Sequence, residues 1–530
     1  MELVIDPAIR VKIRKMKQRV RWQAPAIAAR GIDQTRLVLD DGQAETEAFS
    51  FLVIGDSGSG SPPDNNPQRH IADQMALHRE DCRFLLHTGD VVYLVGASEF
   101  YGQNFIEPYH QFLVGGDHPE RIASQRLLFS FPVLPVPGNH DYYDLHCLWS
   151  LLFQLTLPVL DLLTPRRRLD IGWHGSNQGQ GYAQAFMDCL ASLSTETDLE
   201  KHLDRHYTAQ TDTGSCLRYQ PGHFTHIPNR YYTFQYGGID FFALDSNTFN
   251  APIPLPDNPE GRGYRRHLQE WLVQVERQRS RLQHLSERLH SDQDKDREQL
   301  TDLQAQWQQI EELHYDITKQ LAVDSSAETD WEQLDWLRQG LIRSWRSSTA
   351  RGRVLYFHHP PYVTEASKWR QGQTLAVRQR LRAVLDQVAL ELGDRASDRP
   401  LVDLVLNGHA HCLEYLETQE TGHADAHIPW IVCGGSGHSL RRQRREGARL
   451  QEIMAGRERD VAASRLFVGR SGHGEYKHRP YSFLRIDVEA GSPPRFVVRP
   501  YISDWFQHRW EDRSLPPFAL NGPVLAQPGT

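Results

Sequence analysis

The 530-residue chain lacks any uninterrupted run of 18 apolar residues, so no membrane-spanning helix is expected. Cysteine is scarce: Cys82, Cys147, Cys189, Cys216, Cys412 and Cys433, with no CxxC pair among them. That excludes a zinc knuckle, a CxxC redox site and a disulfide-dense scaffold. Neither sign of charge is in large excess. Fifty-nine Lys and Arg face 67 Asp and Glu, for a net charge of −8, which gives no footing for a general nucleic-acid binder. The N-terminus carries basic residues without an apolar core behind them, so no secretory signal is read there and a cytoplasmic location is expected. What remains is a globular composition, long enough for a large core and more than one structural unit.

The nearest approach to a long apolar run is residues 145–163, interrupted by His146, Gln154, Pro158 and Asp161 and followed by Arg166, Arg167 and Arg168. It reads as a buried or half-buried helix; the alternative is an apolar lid or peripheral membrane contact through 145–168. Seven basic residues and no acidic one fall between Arg10 and Arg21. A solvated basic arm is the plainer reading, contact with an anionic partner the sharper one. The cluster Arg441, Arg442, Arg444 and Arg445 is read in the same way.

Residues 264–324 change character. Leu268, Trp271, Val275, Leu282, Leu285 and Leu289 fall on heptad a and d positions, with Gln278 the polar exception. A polar break, SDQDKDR, precedes a second stripe of Leu300, Leu303, Trp307, Ile310, Ile317 and Leu321, with His314 at one a position. Two stripes and a short polar turn predict an antiparallel helical hairpin, inserted for a structural role, a protein partner or self-association. Nothing in it reads as catalytic.

Elsewhere short apolar runs alternate with helical patterns. Residues 49–55, 84–89, 133–138, 239–245, 353–359 and 404–409 each read as a buried strand ending in polar residues. Five of the ends are followed by groups able to do chemistry. These are Asp56 to Gly58; Asp90 with Tyr93; Asn139, His140 and Asp141; His358 and His359 before two prolines; and His409 with His411. In layered α/β folds sites form at the carboxyl ends of strands. Carboxylate, amide, phenol and imidazole without thiolate suit iron, zinc or manganese. Each motif alone is weak; five in order at strand ends are hard to reach by chance.

Taken together, GDSG (55–58), GDVVY (89–93), GNHD (138–141), HHPP (358–361) and GHAH (408–411) resemble the calcineurin-like metallophosphoesterase superfamily. The resemblance spans about residues 48–440, less the helical insertion. It implies an α/β fold: a four-layer α/β/β/α sandwich of two mixed sheets with a two-metal site at the sheet edges. Many members carry Asp-x-His in the first motif, where this chain has Gly58. That exchange, with Tyr93 three residues after Asp90, resembles the purple acid phosphatase branch, although the insertions are unlike it. Residues 1–47 are expected to form an N-terminal extension, 48–440 the catalytic domain with insertions at 142–230 and 264–324, and 441–530 an extension completing or capping the sandwich.

Carried over motif by motif, the resemblance implies that Asp90 bridges two metal ions. Asp56, Tyr93 and His411 would complete one, and Asn139, His358 and His409 the other. His358 is preferred to His359 because the pattern is His-x-Pro, with His359 the fallback. His140 would stabilise the phosphoryl group or protonate the leaving group, and Asp141 would orient His140. The cofactors implied are two divalent or trivalent ions: iron with zinc, manganese or iron. The function implied is phosphoric-ester hydrolysis, simplest on a monoester, with metal-bound hydroxide as nucleophile. A phosphodiesterase, on a lipid or nucleotide phosphate, is the alternative on the same site. The alternative of another class is a non-catalytic scaffold acting through the hairpin. Val91-Val92-Tyr93 after the second GD argues against a serine/threonine protein phosphatase. Leu244-Asp245-Ser246 resembles a further family segment, and His438, after the glycines at 434, 435 and 437, reads as a loop histidine near the site rim.

Overall fold

The computed structural model describes residues 4–58, 66–93, 95–145, 175–286, 294–324, 327–396, 399–454 and 457–520. The apolar segment 146–163 and its basic flank at 166–168 lie outside them.

All six expected strands are present, as Phe49–Ile54, Cys82–His87, Val133–Pro135, Ile239–Ala243, Gly352–Phe357 and Leu404–Asn407. They divide between two mixed sheets. The smaller runs in the order 509–514, 495–506, 479–489, 49–54, 82–87, 133–135. Its last three strands are mutually parallel, and the C-terminal strands join antiparallel, Leu484 opposite Val53 and Ile486 opposite Phe51. The larger sheet has eleven strands among the described residues. At its centre 239–243, 352–357, 404–407 and 429–433 run parallel. The N-terminal strand Ile32–Leu39 inserts between 232–236 and 214–219.

Why the sheets stack follows from the period of two along each strand. In the larger sheet Phe241, Val354, Tyr356, Leu404 and Leu406 share one core with Phe51 and Val53 of the smaller sheet. The residues between them, Phe242, Leu355, Phe357 and Val405, turn to a second core against helices Trp331–Arg346 and Gly372–Leu392. Between the sheets the rings interlock. Phe51 stacks on Phe84 at 5.3 Å, Phe241 stands edge-on to Phe51 at 5.5 Å, and Phe234 stacks on Phe241 at 4.7 Å. Each such pair contributes about 0.5–1.5 kcal/mol beyond its buried area. Helix Pro67–His78 brings Ile71, Ala72 and Met75 to the same core.

The basic N-terminal stretch is not a solvated arm. It forms helix Ile9–Arg19, which buries Met16 and Lys12. Lys12 is 1% exposed, and a buried ammonium needs an anion beside it. Asp6 is that anion, 2.5 Å from Lys12 Nζ and 3.0 Å from Lys319 Nζ. Burial works against ionising Asp6, but the two ammonium groups hold its carboxyl below the usual range.

Lys319 belongs to the second of two long helices, Pro259–Ser286 and Asp294–Ala322. Leu268, Val275 and Ile317 form their core, with Trp271, Ile310 and Leu321 packed against it. Arg265 donates to the Leu321 carbonyl and Arg279 pairs with Glu311 at 2.6 Å. Gln278, the polar exception in the heptad, is exposed, as is Leu285. No described helix is long and apolar enough to cross a membrane.

Candidate metal centre

The parallel strands of both sheets deliver their motif residues to one place. Asp56 and Asp90 are fully buried, and Asn139, His140, His358, His409 and His411 are buried. One ligand atom each from Asp56, Asp90 and His358 lies within 4.8 Å of the others, and the same holds for His358, His359 and His409. Three of these residues leave their strands in the left-handed region: φ is 54° at Asp56, 54° at Asp90 and 66° at His409. Non-glycine residues occupy that region at a cost of order 1–3 kcal/mol, and such strain gathers at functional sites.

Two glycines explain the tightness of the loops. A Cβ on Gly138 would sit 2.1 Å from Asp90 Oδ1. A Cβ on Gly58 would sit 2.2 Å from the Val91 carbonyl oxygen. The backbone of 91–93 runs where a side chain at 58 would start, and the Tyr93 N–H donates to the Gly58 carbonyl at 3.0 Å. A histidine at 58 does not fit this chain path; Tyr93 enters the site from the loop after the neighbouring strand.

The polar contacts reveal a deficit of protons. Tyr93 has a single hydroxyl hydrogen, yet its oxygen lies 2.9 Å from Asp56 Oδ1, 2.7 Å from Asp90 Oδ2 and 3.2 Å from His411 Nε2. His358 Nδ1 is 2.9 Å from the Thr88 carbonyl, which only accepts, so Nδ1 carries a hydrogen. Its Nε2 then faces two more oxygens, Asn139 Oδ1 at 2.9 Å and Asp90 Oδ2 at 3.2 Å. His411 repeats the pattern, its Nδ1 on the Ser439 carbonyl at 3.0 Å. Around the Tyr93 hydroxyl the acceptors outnumber the one hydrogen available, which a cation among them would relieve, and outer carbonyls that fix the tautomer are the usual support of metal-bound imidazoles. The residues therefore fit metal ions.

Charge tells the same story. Burial, then Asp90, pushes the Asp56 carboxyl up to about 7. Burial opposes ionisation of Asp90 as well, but His358 and His140 hold it well below the usual range. Asp90 in turn overrides the burial of His358 and pushes that imidazole up to about 9. Burial, then the two carboxylates, raises the Tyr93 phenol.

The remaining sequence candidates fall around this core. His140 donates its backbone N–H to Asp90 Oδ1 at 2.9 Å, and its ring lies 4.2 Å from that of Tyr93. Asp141 is placed otherwise than expected: its carboxylate accepts the backbone N–H groups of Gly138, Asp90 and Val91 at 2.8, 3.1 and 3.2 Å. It clamps the second and third motif loops together. His359 lies 2.8 Å from Ser246 Oγ through Nδ1 and 3.2 Å from Asn250 through Nε2. His409 donates its N–H to Asp56, while its Nε2 faces Lys368 Nζ at 3.1 Å and Gln373 at 2.9 Å. His438 stacks on Tyr93, centroids 3.9 Å apart and planes 3° apart. Asp245 accepts from Tyr142 and pairs with buried Arg230 at 3.3 Å; Arg230 also pairs with Asp330 at 2.5 Å.

Two groups at the site carry no sequence signal, and a third, Arg441, belongs to the basic cluster but is buried rather than solvated. Lys368, 1% exposed, reaches His409 on one side and Glu312 at 2.8 Å on the other. Glu312 sits on the second inserted helix and also faces Arg441 at 3.8 Å. Burial would raise its carboxyl, but Lys368 and Arg441 hold it below the usual range. One turn on, Asp316 accepts the backbone N–H groups of Gly372 and Gln373 at 2.8 and 3.3 Å, the start of the helix that packs on the larger sheet. The insertion, in which nothing read as catalytic, thus reaches the rim of the centre.

No known family profile matches the sequence, and no curated protein matches it. Among solved structures, the purple acid phosphatase PPD1 from yellow lupin (Lupinus luteus) seeds is 11% identical over 90% of this chain and 54% of its own, with a TM-score of 0.41. GAP50, the anchor in the inner membrane complex of Plasmodium, is 11% identical over 89% of each chain, at 0.37. PhoD is 12% identical over 90% of this chain and 70% of its own, at 0.35. The chain spans about half the length of the lupin protein.

Proposed function

We propose that this chain is a metal-dependent phosphoric-ester hydrolase of the calcineurin-like metallophosphoesterase type, acting on a phosphomonoester through a binuclear centre. The observation that carries the reading is the convergence, at strand ends of two stacked sheets, of two buried carboxylates, a phenol, an amide and three imidazoles in one cluster. On this reading the fold is the four-layer α/β/β/α sandwich, with the helices 259–286 and 294–322 an inserted antiparallel hairpin.

Asp56, Tyr93 and His411 would hold one ion, Asn139, His358 and His409 the other, and Asp90 both. The donor set, all oxygen and nitrogen, suits iron with zinc, manganese or a second iron. When bound, the ions would activate water as nucleophile and neutralise charge on the phosphoryl oxygens. The chain supplies the rest. Thr88 and Ser439 fix the tautomers of His358 and His411. Asp141 sets the spacing of the Asp90 and Asn139 loops. Lys368 and Arg441 present positive charge to a phosphate entering beside His409, exchanging Glu312 for the substrate's oxygens. His140, held by its N–H to Asp90, would give a proton to the leaving oxygen.

The test is elemental analysis of the purified protein, paired with hydrolysis of para-nitrophenyl phosphate by wild type and Asp90→Asn. About two metal ions per chain, and a rate loss of about a hundredfold or more in the variant, are expected. No bound metal and no turnover after supply of iron, zinc and manganese would sink the proposal.

A further inference from the structure

The second inserted helix, Asp294–Ala322, divides its side chains between two faces. At about 3.6 residues per turn, Ile310, Ile317 and Leu321 fall together and pack with Leu268 and Val275 of the first inserted helix. Glu312, Asp316 and Lys319 fall on the opposite side, and each is bonded to a part of the chain outside the insertion. Lys319 pairs with Asp6 at 3.0 Å, and Asp6 with Lys12 of the N-terminal helix. Asp316 accepts the backbone N–H groups of Gly372 and Gln373. Gln320 lies so close against Gly372 that a Cβ there would sit 2.4 Å from its Nε2.

Glu312, one turn before Asp316, reaches the metal centre. Its carboxylate lies 2.8 Å from Lys368 Nζ and 3.8 Å from Arg441. Lys368 Nζ is in turn 3.1 Å from His409 Nε2, and the Arg441 N–H donates to the His411 carbonyl at 2.9 Å. Burial would raise the Glu312 carboxyl; Lys368, Arg441 and then His140 hold it below its usual range, so three cationic groups at the centre feel its charge. A phosphate entering beside His409 would draw on the same Lys368 and Arg441. Two anions pressed against one pair of buried cations repel each other, so phosphate and Glu312 exclude one another.

We propose that the inserted hairpin is an autoinhibitory strap: Glu312 is an internal competitor for the place of the substrate's phosphate, held there by the contacts of Asp316 and Lys319. The inference rests on the hydrolase reading and adds regulation of that site. The strap sets an affinity rather than a rate of bond breaking. A phosphate ester binds only those molecules in which Glu312 has swung away, and its apparent Kd is the intrinsic one divided by that fraction. Loosening the hairpin therefore raises affinity for phosphate esters while leaving the groups that do the chemistry in place.

The experiment uses the full-length, metal-loaded protein as wild type, Glu312→Gln and Lys319→Met. The first variant removes the competing charge. The second loosens the strap away from the centre, and Lys12 still neutralises Asp6, so the fold is kept. Inorganic phosphate is titrated by calorimetry, and hydrolysis of para-nitrophenyl phosphate is followed in parallel. Glu312→Gln is expected to bind phosphate about tenfold tighter than wild type and to lower KM by a similar factor with kcat little changed. Lys319→Met is expected to move both in the same direction by about two- to threefold. Phosphate binding that is unchanged or weaker in Glu312→Gln overturns the strap even if the ester is turned over normally. An affinity in Lys319→Met equal to that of wild type also overturns it, since the competition would then not depend on how the helix is held. Tighter phosphate binding in both variants upholds the strap even if no ester is hydrolysed and the hydrolase reading falls.

Discussion

Lys368 is the residue whose chemistry is most exposed to test. Its ammonium lies between an imidazole and a carboxylate, 1% exposed. Replacing it with methionine keeps the length and removes the charge. Lys368→Met is expected to raise KM for para-nitrophenyl phosphate about tenfold, with kcat changed far less, because a cation that binds the phosphate acts on ground state and transition state alike. A fall in kcat at constant KM would contradict that role. Glu414 offers a second residue-scale prediction, away from turnover. Burial pushes its carboxyl up to about 7 from 4.5, against hydrogen bonds from Thr364. The folded value lies above the unfolded one, so this stabilisation is complete below about 4.5 and lost as pH rises through about 7. Urea midpoints should fall over that window in wild type by more than in Glu414→Gln, with a difference on the order of 3 kcal/mol. Parallel pH curves would refute it.

Elements meet at Arg230. It joins the end of strand Ile239–Ala243, through Asp245, to the start of helix Trp331–Arg346, through Asp330, which caps that helix at the Gln333 N–H. Truncation leaves two carboxylates buried without their cation, a loss of about 3–5 kcal/mol. Arg230→Leu should show it in equilibrium unfolding, and Arg230→Leu with Asp330→Asn should recover part of it; a cost under about 1 kcal/mol for the single variant would mean water replaces the guanidinium. At this scale much was legible beforehand. The six strands could be read because buried strands are continuous apolar runs, and the site candidates because each followed such a run. Glu312 and Lys368 could not be read, and Arg441 was read only as one of a basic cluster. They are charged residues on a heptad helix and two loops, and only packing brings them within hydrogen-bond reach of the centre. Asp141 was visible but its task was not, since a carboxylate binding backbone N–H groups has the same local sequence as one facing an imidazole. The basic stretch 10–21 was misread because the anions it meets, Asp6, Glu196 and Glu332, give no periodic signal.

For the whole molecule, the centre acts as a rivet between the sheets, since its groups come from strand ends of both. Ions that bind only the folded state stabilise it by mass action, by about 2.7 kcal/mol per site at a hundredfold excess over Kd. Removing them with a chelator should lower the melting temperature by several degrees, and restoring zinc or iron should bring it back. An unchanged melting curve would show that the ions are not held by the folded centre. The pairing of 49–54 with 479–489 has a consequence for synthesis. The strand that leads to Asp56 emerges from the ribosome more than four hundred residues before the strand that covers its flank. At about 10 residues per second that is a wait of roughly 40 s. During it the strand FSFLVI, apolar but for Ser50, has one edge with no neighbour from its own chain. The protein is thus committed to finishing its smaller sheet last, and its early half needs shielding by something else until the final hairpin arrives.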